Sequence, residues 1–530
     1  MIRPRSALVL LLHAHLPWVR HAELPAFLEE RWLFEAVLES YLPLIDTLRG
    51  LTADGIPLRI TIDVSPTLVA MLSDPLLTRR TEQHALDLLQ LVDRERQRAA
   101  GNGPLQQLVR FYRERLERLL ALYREELRRD IPGELARLEA EGVLELATCG
   151  ATHALLPLWL DRPEIVRGQV RSAVREHQRV FGRAPRGIWL PECAFAPALE
   201  RHLAEAGLRW FFVETHALEH ASPRPRDGVF APVRGPRGVA AFARDPSAAQ
   251  QVWSSRAGYP ADPVYRDFHR DIGWELPAEL LQPCADPSGE RSFTGLKYHR
   301  VADRSGRHPE LYDPVGGRER AADHAAHFLA ARLAEARGFT GRTGRPAVIA
   351  CPYDAELFGH WWFEGPWFLD QLFRGLAWDQ DELAALTPAD VLEAWPEREV
   401  VELETSTWGA GGYFETWLGP RVEWMLPPLV ALGEDLLRLL RTRAGESPFV
   451  DRVLRQAARE AMLAQASDWP FLVTNGTAPD YAKRRFLGHV ENFGALARML
   501  DEGPHDETIL ADLEDRDRIL PDLDLDWALS

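Results

Sequence analysis

The sequence predicts an α/β barrel with a helical insertion and a C-terminal all-helical domain. Three observations lead there: seven short apolar runs in the first 400 or so residues, amphipathic segments of helical period between several of them, and two regions where helical periodicity continues without any strand signal. The runs lie at residues 7–12, 58–64, 144–147, 187–190, 210–213, 347–350 and 400–403. They are mostly apolar, as expected of parallel strands buried on both faces. Each ends in polar or unusual residues: His13 and His15, Ser65, Thr148 through His153, Glu192, Glu214 and His216, Asp354, and Glu404 through Trp408. Amphipathic helices are expected at 26–49, 163–181, 197–206, 320–336 and 365–376. Seven such strands favour a barrel over an open sheet, and barrel chemistry sits at the C-terminal strand ends.

The two interruptions set the domain organisation. Residues 1–400 read as the barrel, with a Leu-, Arg- and Glu-rich helical insertion at 73–142 that Gly101 to Pro104 breaks into a hairpin. Residues 401–530 read as a C-terminal helical domain, with helices at 422–441, 448–466 and 478–500. Its acidic tail, 520–530, is expected to dock as an extended strand or to stay loose. Two Pro-, Gly- and Arg-rich segments, 223–238 and 284–314, read as long loops, and long loops on a barrel rim often cover an active site.

Composition narrows the function. The chain has 530 residues and 62 basic against 79 acidic side chains, a net charge of −17 with no long basic block. That argues against nucleic acid or an anionic membrane as partner. Cys149, Cys193, Cys284 and Cys351 form no paired motif and are expected to be free, buried thiols in a reducing compartment. Arg3 and Arg5 precede an apolar run too short for a signal peptide, and no run is long enough for a membrane span. A cytoplasmic location is the expectation.

Two carboxylates sit at strand ends among apolar residues. Glu192 lies in Trp189-Leu-Pro-Glu192-Cys-Ala-Phe195, and Asp354 in Cys351-Pro-Tyr-Asp354-Ala-Glu-Leu-Phe-Gly-His360. Either alone is more often structural than catalytic. Two on separate strands of one barrel match what glycosidic cleavage requires: one nucleophile and one acid that later acts as base. His13 and His15 point the same way from one strand, and His153, His216 and His360 also follow strands. With a carboxylate they could hold a metal, as in metal-dependent hydrolases and deacetylases; the competing reading has them bonding sugar hydroxyls. Seventeen tryptophans are the third clue. Trp32, Trp253, Trp408 and Trp417 are among those beside strand ends, where indole faces can stack on pyranose rings, whereas Trp367 and Trp378 read as core. Phosphate-loop, nucleophile-elbow and dinucleotide fingerprints are absent.

Five motifs in order resemble the signature regions of glycoside hydrolase family 57, and in particular its 1,4-α-glucan branching enzymes. They are His13-Ala-His15-Leu-Pro17, Ala151-Thr-His153-Ala-Leu-Leu-Pro157, the Glu192 motif, Tyr353-Asp354-Ala-Glu-Leu-Phe-Gly-His360-Trp-Trp362 and Ala466-Ser-Asp468-Trp469-Pro-Phe471. The resemblance covers residues 1 to about 500. It implies an incomplete (β/α)7 barrel and a retaining double displacement on α-1,4-glucans without metal or other cofactor. It also implies Glu192 as nucleophile and Asp354 as general acid/base. It makes His13, His15 and His153 sugar-binding residues, and Trp408, Trp417, Asp468 and Trp469 parts of the glucan groove. The chain departs from the pattern once. Gly228-Val-Phe230-Ala-Pro232 has phenylalanine where the branching enzymes carry a tyrosine in the loop after the fifth strand. That keeps α-glucan hydrolysis and 4-α-glucan transfer open beside branching.

Overall fold

The computed structural model describes residues 6–24, 26–254, 257–286, 289–302, 310–503 and 506–528. Arg3 and Arg5, parts of the 284–314 loop and the last two residues of the tail lie outside the described residues. Among the described residues nine strands form: β1 (Ser6–Ala14), β2 (Ile60–Val64), β3 (Leu144–Ala147), β4 (Gly187–Ile188), β5 (Trp210–Val213), β6 (Val233–Arg234), β7 (Ala240–Ala243), β8 (Val348–Asp354) and β9 (Leu383–Ala385). They pair as two sheets, β3-β2-β1-β8 with β9 beside β1, and β4-β5-β7-β6. Two single parallel bridges join the sheets, Thr148 with Ile188 and Arg244 with Ala350. The result is a seven-stranded parallel barrel, β1, β2, β3, β4, β5, β7 and β8, with two weakly bonded seams. Antiparallel β6 pairs with β7 through Val233 and Arg234, alongside the β7–β8 seam. Among the described residues no helix is long and apolar enough to cross a membrane.

Strand period 2 sorts the core into layers. Ala7, Val9 and Leu11 of β1 join Trp189, Trp210, Phe212, Phe242, Val348 and Ala350 in one cluster, which Val391 and Leu392 of the helix Pro388–Ala394 also enter. Leu8, Leu10 and Leu12 pack into the larger core shared with the surrounding helices. The same alternation aligns His13 with the first group, beside Asp63 on β2 and Asp354 on β8.

Two strand expectations change. Ala240 to Ala243 form a barrel strand that the sequence does not announce, because an Ala-Ala-Phe-Ala run has weak strand propensity. Residues 400–403 make only isolated bridges, Arg234 with Val400 and Ser222 with Glu402, because they meet the end of the two-residue strand β6 and an irregular segment, both outside the seven-strand ring. Between β2 and β3 stand helices Pro66–Ser73, Pro75–Arg98, Gly103–Ala121 and Ile131–Ala140, capped by the side chains of Ser65, Asp74, Asn102 and Asp130.

The C-terminal helices are Leu426–Arg443, Pro448–Ala464, Asp468–Asn475, Pro479–Glu502 and Glu507–Arg516. Among the described residues the tail forms no strand and packs through Trp527. Trp527, in a short 3-10 turn, is buried against Gly168 of the helix Pro163–Phe181, where a Cβ would come within 3.0 Å of the indole. Trp378, expected in the core, is exposed at the end of the helix Gly365–Trp378, with the Arg374 guanidinium 5.7 Å from its ring centre.

Candidate active site

Three residues at the C-terminal strand ends carry strained backbone. His153, Glu192 and Cys193 have φ of 57°, 62° and 50°, the left-handed region that side chains other than glycine seldom adopt. Such conformations cost about 1–3 kcal/mol each and persist where the surroundings enforce them, most often at functional sites. Here they turn the Glu192 carboxylate inward, where it is almost fully buried. Its Oε1 accepts from Ser467 Oγ at 2.7 Å and its Oε2 from Trp408 Nε1 at 3.0 Å. Burial pushes its pKa up, and the two hydrogen bonds oppose that shift by favouring the ionised form.

Asp354 ends β8, one strand across from His13. Burial raises its pKa well above the ordinary carboxylate value, and the charges of Glu356 and Glu192 add to the effect while Arg244 opposes it. The two acids are therefore pushed unequally, the more strongly raised one suited to hold a proton and the hydrogen-bonded one suited to stay ionised. Glu356 is a third acid, raised to about 7 by burial; it accepts from the Tyr41 hydroxyl and from the backbone N–H of His15. Arg244 pairs with Glu214 at 2.6 Å, and its guanidinium lies 5.9 Å from the Trp408 ring centre. Trp253, partly exposed, meets Trp408 edge-on at 6.3 Å.

The histidines gather as expected but face inward. His13 Nδ1 bonds Asp63 Oδ2 at 2.7 Å and His13 Nε2 meets His153 Nε2 at 3.1 Å. His153 Nδ1 reaches Ser467 Oγ at 2.8 Å. His15 bonds Ser65 Oγ at 2.8 Å and Asp468 Oδ1 at 3.0 Å, and stacks on His153 at 3.7 Å. Every ring nitrogen of the three thus has a protein partner among neighbouring carboxylates, hydroxyls and imidazoles. His13, Cys149 and His153, and His15, His153 and Asp468, are groups whose donor atoms lie close enough together to hold an ion.

Several residues expected in the groove are buried or packed against neighbouring side chains. Trp417 is buried with Leu155 and Ala194 beneath the glycine-rich loop 407–413, where a Cβ on Gly409 would come within 2.5 Å of its ring. It supports the loop that presents Trp408 and offers no face of its own. Trp469 is fully buried, with its Nε1 donating to the Leu463 carbonyl at 2.7 Å. Trp32 is half-buried, edge-on to Tyr481 at 5.5 Å. Phe230, expected in a loop over the cleft, packs on Phe339 at 5.3 Å, while nearby Asp227 pairs with Arg345. Phe339 and Arg345 lead into the amino end of β8, opposite the end that carries Asp354, so apolar packing and an ion pair hold this segment away from the acids. His216 and His360 are spent on the Gly412 carbonyl and on Glu39.

The motifs did not mark Ser467, Glu356, Arg244 or Asp63 as site residues. Ser467 and Glu356 lie inside quoted motifs, beside Asp468 and two residues after Asp354. That adjacency was the available signal.

A family model described as glycosyl hydrolase family 57 matches residues 9–404, which hold both acids, and a second, described as 1,4-alpha-glucan branching enzyme, C-terminal, matches residues 429–527. The chain belongs to glycosyl hydrolase family 57. Its family-57 relatives include a 1,4-alpha-glucan branching enzyme of Thermococcus kodakarensis, 32% identical over 97% of this chain and 77% of that one. Among solved structures it is similar to the alpha-amylase AmyC of Thermotoga maritima, with TM-score 0.92, 37% identity and 99% of each chain covered. It is also similar to the family-57 branching enzyme of Pyrococcus horikoshii, with TM-score 0.88, 33% identity, and 99% of this chain and 97% of that one covered.

Proposed function

We propose that the chain is a 1,4-α-glucan branching enzyme that cuts an α-1,4-glucan by retaining double displacement and passes the chain to a 6-hydroxyl. The observation that carries the reading is the match of residues 429–527 to the branching-enzyme C-terminal model, which includes Ser467 and Asp468, the residues that bond Glu192 and His15. In this reading Glu192 attacks the anomeric carbon while protonated Asp354 donates to the glycosidic oxygen. The ionised Asp354 then takes the proton of the incoming 6-hydroxyl as that oxygen displaces Glu192. Trp253 and Trp408 are the aromatic faces offered to sugar rings, and Asp468 orients His15. The substrate is an α-glucan of amylose or glycogen type, and the reaction is placed in the cytoplasm, in keeping with four free buried cysteines.

A second reading, hydrolysis, is favoured by the likeness to the Thermotoga α-amylase. The two acids serve both outcomes; exclusion of water from the acceptor position decides between them. The test is amylose turnover with both products counted. Branching gives new α-1,6 linkages in excess of new reducing ends. Reducing ends without α-1,6 linkages would establish hydrolysis instead.

Two predictions follow from the placement of single residues. Phe230→Tyr is expected to leave the ratio of α-1,6 linkages to reducing ends unchanged, since the ring packs on Phe339 and not on the acids. A severalfold rise would put this segment over the cleft during turnover. Glu356→Gln is expected to move the basic limb of the kcat/KM profile down by about one pH unit. The sign follows from charge: ionised Glu356 disfavours ionisation of Asp354, so its removal lets Asp354 lose its proton at lower pH. A basic limb that stays in place would separate Glu356 from the acid.

A further inference from the structure

The hydrogen bonds behind Glu192 form one unbroken chain to a third carboxyl. It runs from Glu192 Oε1 to Ser467 Oγ at 2.7 Å, and on to His153 Nδ1 at 2.8 Å. It crosses between the facing Nε2 atoms of His153 and His13 at 3.1 Å and ends with His13 Nδ1 at 2.7 Å from Asp63 Oδ2. All five residues are buried.

One end of the chain sets the direction of every hydrogen in it. The Ser467 hydroxyl donates to Glu192, so toward His153 it can only accept, and His153 carries its hydrogen on Nδ1. Burial lowers the pKa of both imidazoles, which keeps them neutral. A neutral His153 then accepts at Nε2, His13 donates from Nε2, and His13 Nδ1 is left as an acceptor. The hydrogen in that last bond must come from Asp63. A second observation agrees. Asp63 Oδ1 is buried without any hydrogen-bond partner among the described residues, a setting that suits the carbonyl oxygen of a neutral acid and strongly disfavours an ionised carboxylate. The groups that face Asp63 are His13 from β1, Asp354 and Glu356 from the end of β8, and Cys149 beyond β3; no cation is among them.

We propose that Asp63 is a positioning residue: held as a neutral acid, it sets the hydrogen polarity of the chain, so that the Ser467 hydroxyl always points at Glu192 and holds it ionised and oriented for attack. This rests on the reading of Glu192 as nucleophile.

The test compares Asp63→Asn, Asp63→Val, Ser467→Ala and Glu192→Gln by the pH dependence of kcat/KM on amylose, with thermal unfolding alongside. An asparagine side chain can donate to His13 as a protonated acid does. Asp63→Asn is therefore expected to keep more than about a tenth of the activity and the wild-type acid limb. Ser467→Ala removes a hydrogen bond that favours the ionised form of Glu192, and should raise the acid limb by about one pH unit. Asp63→Val should move it the same way, and the double variant no further than Ser467→Ala. An acid limb displaced as far in Asp63→Asn as in Asp63→Val would overturn the proposal, because Asp63 would then act through its charge. So would a limb unmoved in Ser467→Ala, whether or not Asp63→Val folds. A Glu192→Gln enzyme that still turns over fails differently: it removes the nucleophile reading itself.

Discussion

Glu192→Gln is expected to lose glucan cleavage by roughly four orders of magnitude or more, with the fold retained. The carboxylate is asked to form a bond to the anomeric carbon, and an amide is a far weaker nucleophile at that step. The site is built around an anion: two donors, Ser467 Oγ and Trp408 Nε1, converge on its two oxygens, and the backbone is strained to bring it there. The amide keeps the size of the side chain but turns an NH2 group toward one of those donors, so a modest fall in melting temperature should accompany the loss of activity. Circular dichroism and kcat on amylose check both parts. Activity within tenfold of the wild type would remove Glu192 from the reaction.

Asp354→Asn is expected to be almost as damaging on amylose, but selectively so. A natural glucan has a poor leaving group and needs the proton; a maltosyl fluoride does not. The variant should therefore still form the glycosyl-enzyme from the fluoride and then stall, because the second step needs the same residue as base. Azide, which needs no base, should restore turnover of the fluoride and give a product of retained configuration. Equal loss on both donors, with no azide effect, would mean that Asp354 is not the acid/base.

Much of this architecture could be read from the sequence because buried parallel strands leave short, mostly apolar runs. β1, β3 and β5 lie where their apolar runs do, and Glu192 and Asp354 stood out as acids at the ends of such runs. β7 was hidden because its Ala-rich segment buries little side chain per residue, and 400–403 misled because an apolar run specifies burial and not a partner strand. The histidines show the same limit within the site. Their spacing placed them together, but which atoms they bond depends on Asp63, Ser65, Ser467 and Asp468, up to 453 residues away in the chain. Tryptophan was ambiguous for a related reason: the same residue type packs beneath a loop at Trp417 and donates to the Glu192 carboxylate at Trp408. Phe230 was assigned to the cleft by motif, while its packing on Phe339 comes from a contact between segments more than a hundred residues apart.

The most direct test of the retaining mechanism is the mass of the glycosylated protein. The enzyme would be incubated with a slow fluorinated α-glucosyl fluoride, digested with protease and examined by peptide mass spectrometry. The expected result is one added glucosyl unit per chain, on the peptide that contains Glu192, absent from Glu192→Gln and released when an acceptor glucan is supplied. A label on any other side chain, or steady turnover of the fluoride with no labelled peptide in either the wild type or Asp354→Asn, would contradict a double displacement through Glu192.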